Sequence, residues 1–113
     1  MRYALFVCAA EELMLGEEGR QERLDAFQAF QAEVESRGAL LTIERLAPTS
    51  TAKTVKKKDG GLIVADGPFA ETKEQIAGFY VLECRDLDEA IELASLNPAA
   101  ELGVVEVRPV WSD

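Results

Sequence analysis

Two segments of this chain are apolar at nearly every position: Tyr3-Ala4-Leu5-Phe6-Val7-Cys8 and Phe79-Tyr80-Val81-Leu82. Successive side chains of a strand point to opposite faces, so a strand with one wet face alternates apolar and polar residues. A continuous apolar run instead predicts burial on both faces. Helices laid on one face of a sheet leave the other to be covered by something else. In a chain of 113 residues only a hairpin near 53–66 is left over for that role. The runs therefore predict a second copy packed sheet against sheet in a two-fold homodimer. Left bare, such a face is an apolar patch that invites aggregation.

The other periodicities place the remaining elements. Residues 2–8 read as a strand and 9–19 as a loop. Leu24, Phe27, Phe30 and Val34 recur at helical spacing over 20–37, with Gly38 as a C-terminal stop. This phenylalanine stripe reads as core. Residues 39–47 form a second strand closed by Pro48, and Asp59-Gly60 between two short runs is the strongest local hairpin signal. Residues 77–85 form the next strand. Asp86 and Glu89 have capping-box spacing for a helix over 86–98, which Asn97-Pro98 stops. Residues 103–111 close the chain as a strand, with Pro109 marking a sheet edge. Without its hairpin the order is β-α-β followed by β-α-β. The fold class is thus α+β: a ferredoxin-like split βαβ with an antiparallel sheet, two helices on one face and an inserted β-hairpin, in a single domain spanning 1–113.

Composition narrows the function classes. Twelve basic against twenty-one acidic residues give a net charge of −9, which repels phosphate backbones and argues against nucleic-acid binding. Lys56, Lys57 and Lys58 read as a solvated hairpin tip. No apolar run approaches the roughly 18–20 residues that cross a membrane. The N-terminal segment lacks the long apolar region and small-residue cleavage site of a signal peptide, so the chain is expected to be cytoplasmic, without membrane contact. Cys8 and Cys84 stand in apolar strands without metal or redox spacing and read as buried free thiols. Histidine is absent, which removes the commonest general base and the commonest transition-metal ligand. No calcium-loop spacing, phosphate loop or dinucleotide motif is present, so no metal or cofactor is expected.

One stretch is unaccounted for by the fold. Asp66-Gly67-Pro68-Phe69-Ala70-Glu71-Thr72-Lys73-Glu74-Gln75, followed by Gly78-Phe79-Tyr80, is similar to the signature of the DGPF-motif branch of the YCII-related proteins. The likeness continues at Met1-Arg2-Tyr3, Leu46-Ala47-Pro48, Thr51 to Val55, Asp86 to Ala90 and Glu106 to Trp111. The resemblance implies a dimeric α+β barrel. It implies kinship with cofactor-free enzymes acting on small cyclic compounds, in which a His-Asp pair is the proposed chemistry. The aspartate carries over onto Asp66, whereas the histidine has no counterpart in this chain. The branch is also associated with alternative sigma factors, which points to a transcription-related protein partner.

The motif residues support a structural and a chemical reading. Structurally, Gly67 and Pro68 turn the chain, Asp66 accepts backbone N–H groups as an Asx turn does, Phe69 plugs the corner into the core, and Thr72 with Gln75 caps one helical turn. Trp111 reads as dimer or core packing. Chemically, Asp66 is the candidate general base, raised in pKa by burial beside Phe69 and Phe79, and Glu74 is a further group able to trade a proton. Lys73, with Glu71, Arg45 and Tyr80, supplies the polar contacts for a small organic ligand. A carboxylate abstracts a proton beside a carbonyl without metal or cofactor, so a cofactor-independent enzyme or small-molecule binder stands beside a non-catalytic interaction protein and a purely structural role for the motif.

Overall fold

The structure is a computed structural model that describes residues 1–111. The two segments with continuous apolar runs are its central strands. β1 (Arg2–Ala9) leads through α1 (Glu11–Leu15) and α2 (Arg20–Ser36) to β2 (Leu40–Arg45). The hairpin β3 (Lys53–Lys58) and β4 (Gly61–Asp66) follows. Then come β5 (Gln75–Glu83), α3 (Leu87–Ser95), α4 (Ala99–Leu102) and β6 (Val104–Pro109). The main sheet is antiparallel in the order β2-β5-β1-β6, and β3-β4 forms a separate two-stranded ribbon. This is the ferredoxin-like split βαβ arrangement with an inserted hairpin.

The alternation of β1 and β5 shows why both runs are apolar. Tyr3, Leu5 and Val7 of β1, with Tyr80 and Leu82 of β5, pack under the helices with Phe30, Val34 and Leu93. Ala4, Phe6 and Cys8, with Phe79 and Val81, lie on the opposite face and are half-buried in the single chain. No helix among the described residues covers them. Phe6 and Phe79 touch across the strands with ring centroids 6.5 Å apart, and the Arg108 guanidinium lies 5.8 Å over the Phe6 ring.

The element ends follow local chemistry. Gly38, at φ +68°, takes the left-handed position that ends α2, and the Ala39 N–H returns to the Val34 carbonyl at 3.0 Å. The Asp86 carboxylate accepts the Glu89 N–H at 2.9 Å, and the Glu89 side chain reaches back to the Arg85 N–H at 2.9 Å. Asp59 and Gly60 both have positive φ, at 50° and 76°, the backbone of a tight two-residue hairpin turn whose twist matches the strands.

Four expectations are corrected. The 9–19 loop contains α1, and a second short helix, α4, follows Pro98. Thr72 and Gln75 cap no helical turn: the Thr72 hydroxyl donates to the Glu74 carbonyl, and the Gln75 amide donates to the carbonyls of Ala70 and Thr72, so the side chains fold the loop on itself. Phe69 does not plug the core, being 93% exposed. Trp111 is 86% exposed and so is not core packing within one chain. No helix among the described residues is long and apolar enough to cross a membrane.

Candidate functional site

A cavity of about 170 Å³ opens between the sheet and the N-terminal half of the helical layer. It exists because the two ends of α2 do different work. Phe30 and Val34, toward the C-terminus, are buried on the sheet. Phe27 and Leu24, one and two turns earlier, line the cavity with Met14 of α1, and Phe27 and Met14 also pack against the edge of the core. Ile43 of β2, left 38% exposed, and Tyr80 of β5 form the floor. The phenylalanine stripe is therefore core at one end and pocket wall at the other.

The cavity wall is apolar with a cationic edge. Arg20, Arg23 and Arg45 line it, together with the carboxylate of Glu11. Arg23 is engaged: its guanidinium donates to the carbonyls of Met14 at 3.2 Å, Gly16 at 2.8 Å and Glu18 at 3.3 Å, tying down the segment after α1. Glu11 is engaged too, accepting the Thr49 N–H at 2.8 Å and the Thr49 hydroxyl. Arg20 and Arg45 form no ion pair among the described residues. Gly78 lets β2 approach the floor, since a Cβ there would stand 2.7 Å from the Glu44 carbonyl oxygen.

Burial pushes the Tyr80 phenol above its usual range, and the Asn97 amide opposes that shift. The Asn97 Oδ1 accepts the Ala99 N–H at 2.9 Å, while its buried Nδ2 has no hydrogen-bond partner of normal geometry. Tyr80 is a neutral donor at physiological pH, held edge-on to Phe30 at 5.0 Å between ring centroids.

The six residues singled out from the sequence divide into three groups. Arg45 and Tyr80 line the cavity. Glu71 and Lys73 line an adjoining polar concavity with Thr49, Pro68 and Gln75, and Glu11 belongs to the walls of both. Asp66 and Glu74 line neither. Asp66 stands at the root of the hairpin with its side chain 86% exposed and paired with Lys53, so the burial beside Phe69 and Phe79 expected from the sequence is not provided within one chain. Glu74 lies beside Gly103, its Oε2 3.0 Å from where a Cβ on that glycine would stand. Cys8 is held above the usual thiol range, first by burial and then by Glu106 and Glu74, which disfavours a thiolate nucleophile. Glu11 was missed because the 9–19 segment reads as loop, and Arg20 because it reads only as the first residue of a helix. The one available signal was the pair of glutamates ahead of Leu13, Met14 and Leu15, which opens a short helix.

The Thr49 bonds hold the Glu11 carboxyl below its ordinary value of 4.5. A lowered folded-state pKa means that the ionised form stabilises the fold. That contribution is present above about pH 4.5 and is lost as pH falls through the lowered value. Glu11→Gln is expected to reduce the urea midpoint at pH 7, with the gap to wild type closing toward pH 3. A gap of constant size across that range would show that the charge on Glu11 plays no part.

The sequence profile of the YCII-related domain matches residues 1–112. This chain belongs to the YCII-related family. A relative in Rhizobium meliloti (strain 1021), the uncharacterized protein R00369, is 45% identical over 86 residues, covering 73% of this chain and 68% of that one. Among solved structures, the YCII-related fold seen here is similar to 5-chloro-2-hydroxyhydroquinone dehydrochlorinase (TftG) from Burkholderia phenoliruptrix AC1100, determined with 2,5-dihydroxybenzoquinone. That superposition has a TM-score of 0.50 at 16% identity and covers 99% of this chain and 94% of the other. At that identity the likeness establishes the fold, that of the dimeric α+β barrels.

Proposed function

We propose that this YCII-related protein, of the DGPF-motif branch, takes a single-ring organic anion into the cavity between α1, α2, β2 and β5, as a small-molecule binder of the cofactor-independent enzyme kind. The observation that carries the reading is an apolar cavity edged by Arg20 and Arg45, neither of which forms an ion pair among the described residues. A dry cavity of roughly 150 Å³ accepts one benzene ring, and about 170 Å³ is available here. Arg45 meets a carboxylate or phenolate oxygen with paired N–H donors. The Tyr80 ring forms the floor, and Leu24, Phe27 and Ile43 hold the ligand ring. The dihydroxybenzoquinone bound by the dehydrochlorinase, a flat oxygenated ring, is of the same chemical class.

Acid–base chemistry in this reading falls to Asp66 and Glu74, with Glu71 and Lys73 at the neighbouring concavity. Because neither Asp66 nor Glu74 lines the cavity of its own chain, their part depends on how a second copy seats the motif. A homodimer joined through the half-buried face of Phe6, Phe79 and Val81 is part of the proposal. It is preferred to a transcription-linked docking protein because an apolar cavity edged by cations that form no ion pair among the described residues calls for a small anion, whereas the half-buried apolar face suits a second copy.

Calorimetric titration with benzoate, salicylate and dihydroxybenzoquinone tests the reading. Arg45→Ala is expected to weaken binding by about 10- to 100-fold, the loss of one hydrogen bond to a charged group. Asp66→Asn is expected to keep the affinity while lowering any turnover. Wild-type protein that binds none of the three removes the ligand reading, and unchanged turnover in Asp66→Asn assigns Asp66 to the turn alone.

A further inference from the structure

The β3–β4 hairpin stands off the rest of the chain. Every residue of β4 and all of β3 except Thr54 are exposed. The whole chain measures 48 × 44 × 18 Å with a radius of gyration of 15.9 Å, against about 13 Å for a compact chain of this length. The root of this arm is fixed. The Gly67 N–H donates to the Ala52 carbonyl at 2.8 Å, the Thr54 hydroxyl donates to the Gly67 carbonyl at 2.8 Å, and Lys53 pairs with Asp66. The arm is thus held outward by its own base.

Its composition does not suit open water. The pairings Val55 with Val64 and Lys57 with Leu62 put three apolar side chains on one face, and Val55, Leu62 and Val64 are 64%, 64% and 55% exposed. A lone two-stranded ribbon is marginal in water, and three exposed apolar residues on it call for a cover. Charge identifies the cover. The arm carries four lysines against two aspartates, a net +2, so the remainder of a chain of −9 carries −11. A positive arm and a strongly negative body on the same molecule attract across two copies. A nucleic acid or anionic membrane would meet the lysines only by bringing that negative body against its own charge.

We infer that the β3–β4 arm is a clasp that lies on the acidic body of a second copy of this chain, burying Val55, Leu62 and Val64 and pairing Lys57, which shares their face, with a carboxylate of that copy. The inference rests on the homodimer proposed above and adds a contact that pairing of the two sheets does not itself require. The exchange is reciprocal under two-fold symmetry, each body receiving the other's arm. Because the arm springs from the Asp66-Gly67-Pro68 corner, a seated clasp also fixes where the motif stands in the assembly.

Sedimentation equilibrium and carbodiimide cross-linking of mixed isotopically light and heavy full-length chains test it. Two variants are compared with wild type: Lys56→Glu with Lys57→Glu and Lys58→Glu on the arm, and Phe79→Asp on the open sheet face. The expected result is a wild-type dimer with light-to-heavy cross-links from Lys56, Lys57 or Lys58. The dimer dissociation constant should rise about tenfold in the arm variant, since the Lys57 pair of each arm becomes repulsive and the net charge of the arm reverses. Circular dichroism checks that both variants keep the fold. A dimer of unchanged affinity in the arm variant, with arm lysines cross-linked only within one chain, overturns the clasp and leaves the sheet pairing standing. A wild type that stays monomeric overturns both. Heparin binding at physiological salt that is lost in the arm variant assigns the arm to a polyanion and also overturns the clasp.

Discussion

Phe30→Ala is expected to lower the stability of this protein by about 3–5 kcal/mol, the range for removing a buried phenylalanine without refilling its space. Phe30 is 3% exposed and stands where α2 meets the sheet. Its ring packs edge-on against Tyr80 with centroids 5.0 Å apart, and Val34 continues the same contact one turn later. The deletion therefore removes the helix anchor and the neighbour that fixes Tyr80 in the cavity floor. A domain of this size has about 5–15 kcal/mol of total stability, so the variant should sit close to the threshold of folding. Urea unfolding by circular dichroism and Tyr fluorescence measures it, with a lower midpoint and an unchanged slope as the expected outcome. A loss below about 1.5 kcal/mol, within the range of a volume-conserving swap, would mean that α2 is not seated on Tyr80 as described.

Gly103→Ala is expected to be the most damaging of the small substitutions, at about 1–3 kcal/mol or more. A Cβ at this position would lie 2.1 Å from the Cys8 carbonyl oxygen and 2.9 Å from the Ala9 Cα. Both neighbours are backbone of the central strand β1, which cannot swing aside as a side chain can. Gly61→Ala on the arm provides the comparison, since its nearest neighbour, the Lys58 carbonyl oxygen, is at 3.4 Å and the expected effect is within about 0.5 kcal/mol. Equal midpoints for the two variants in thermal unfolding would show that β6 does not approach β1 as closely as the structure has it.

These two positions mark how far the sequence could be read. Phe30 was legible because a buried helix face repeats at the helical period and the residues that keep the repeat are local. Gly103 was not. Nothing in its neighbourhood along the chain reveals that Cys8, far away in sequence, crosses over it, because strand-to-strand approach is set by sheet register. The same division runs through the candidate site. Arg45 and Tyr80 were singled out as polar contacts, and they line one cavity because β2 and β5 are hydrogen-bonded neighbours with Arg45 opposite Gly78 and Ile43 opposite Tyr80. Asp66 and Glu74, eight residues apart in one motif, were both singled out as acid–base candidates. The structure sends one to the root of the arm and the other to the side of Gly103. Proximity in sequence says little about proximity in space once a loop reverses between two strands. Phe69 failed for a related reason: an aromatic residue is usually buried, but the place to bury it must exist within the chain, and here that corner points outward.

The sequence by itself determined the secondary structure of the long elements, the positive-φ hairpin turn at Asp59-Gly60, the Asp86 cap and the apolar character of both faces of β1 and β5. All of these are written in local spacing, in side-chain size and in the two-residue alternation of a strand. Only the tertiary structure decided that the N-terminal half of the phenylalanine stripe lines a cavity, that Glu11 reaches Thr49 to close its end, and that the motif stands at the foot of an exposed arm. Those facts depend on where a helix lifts from a sheet and which way a ribbon projects. Both are set by long-range packing, which no window of neighbouring residues contains.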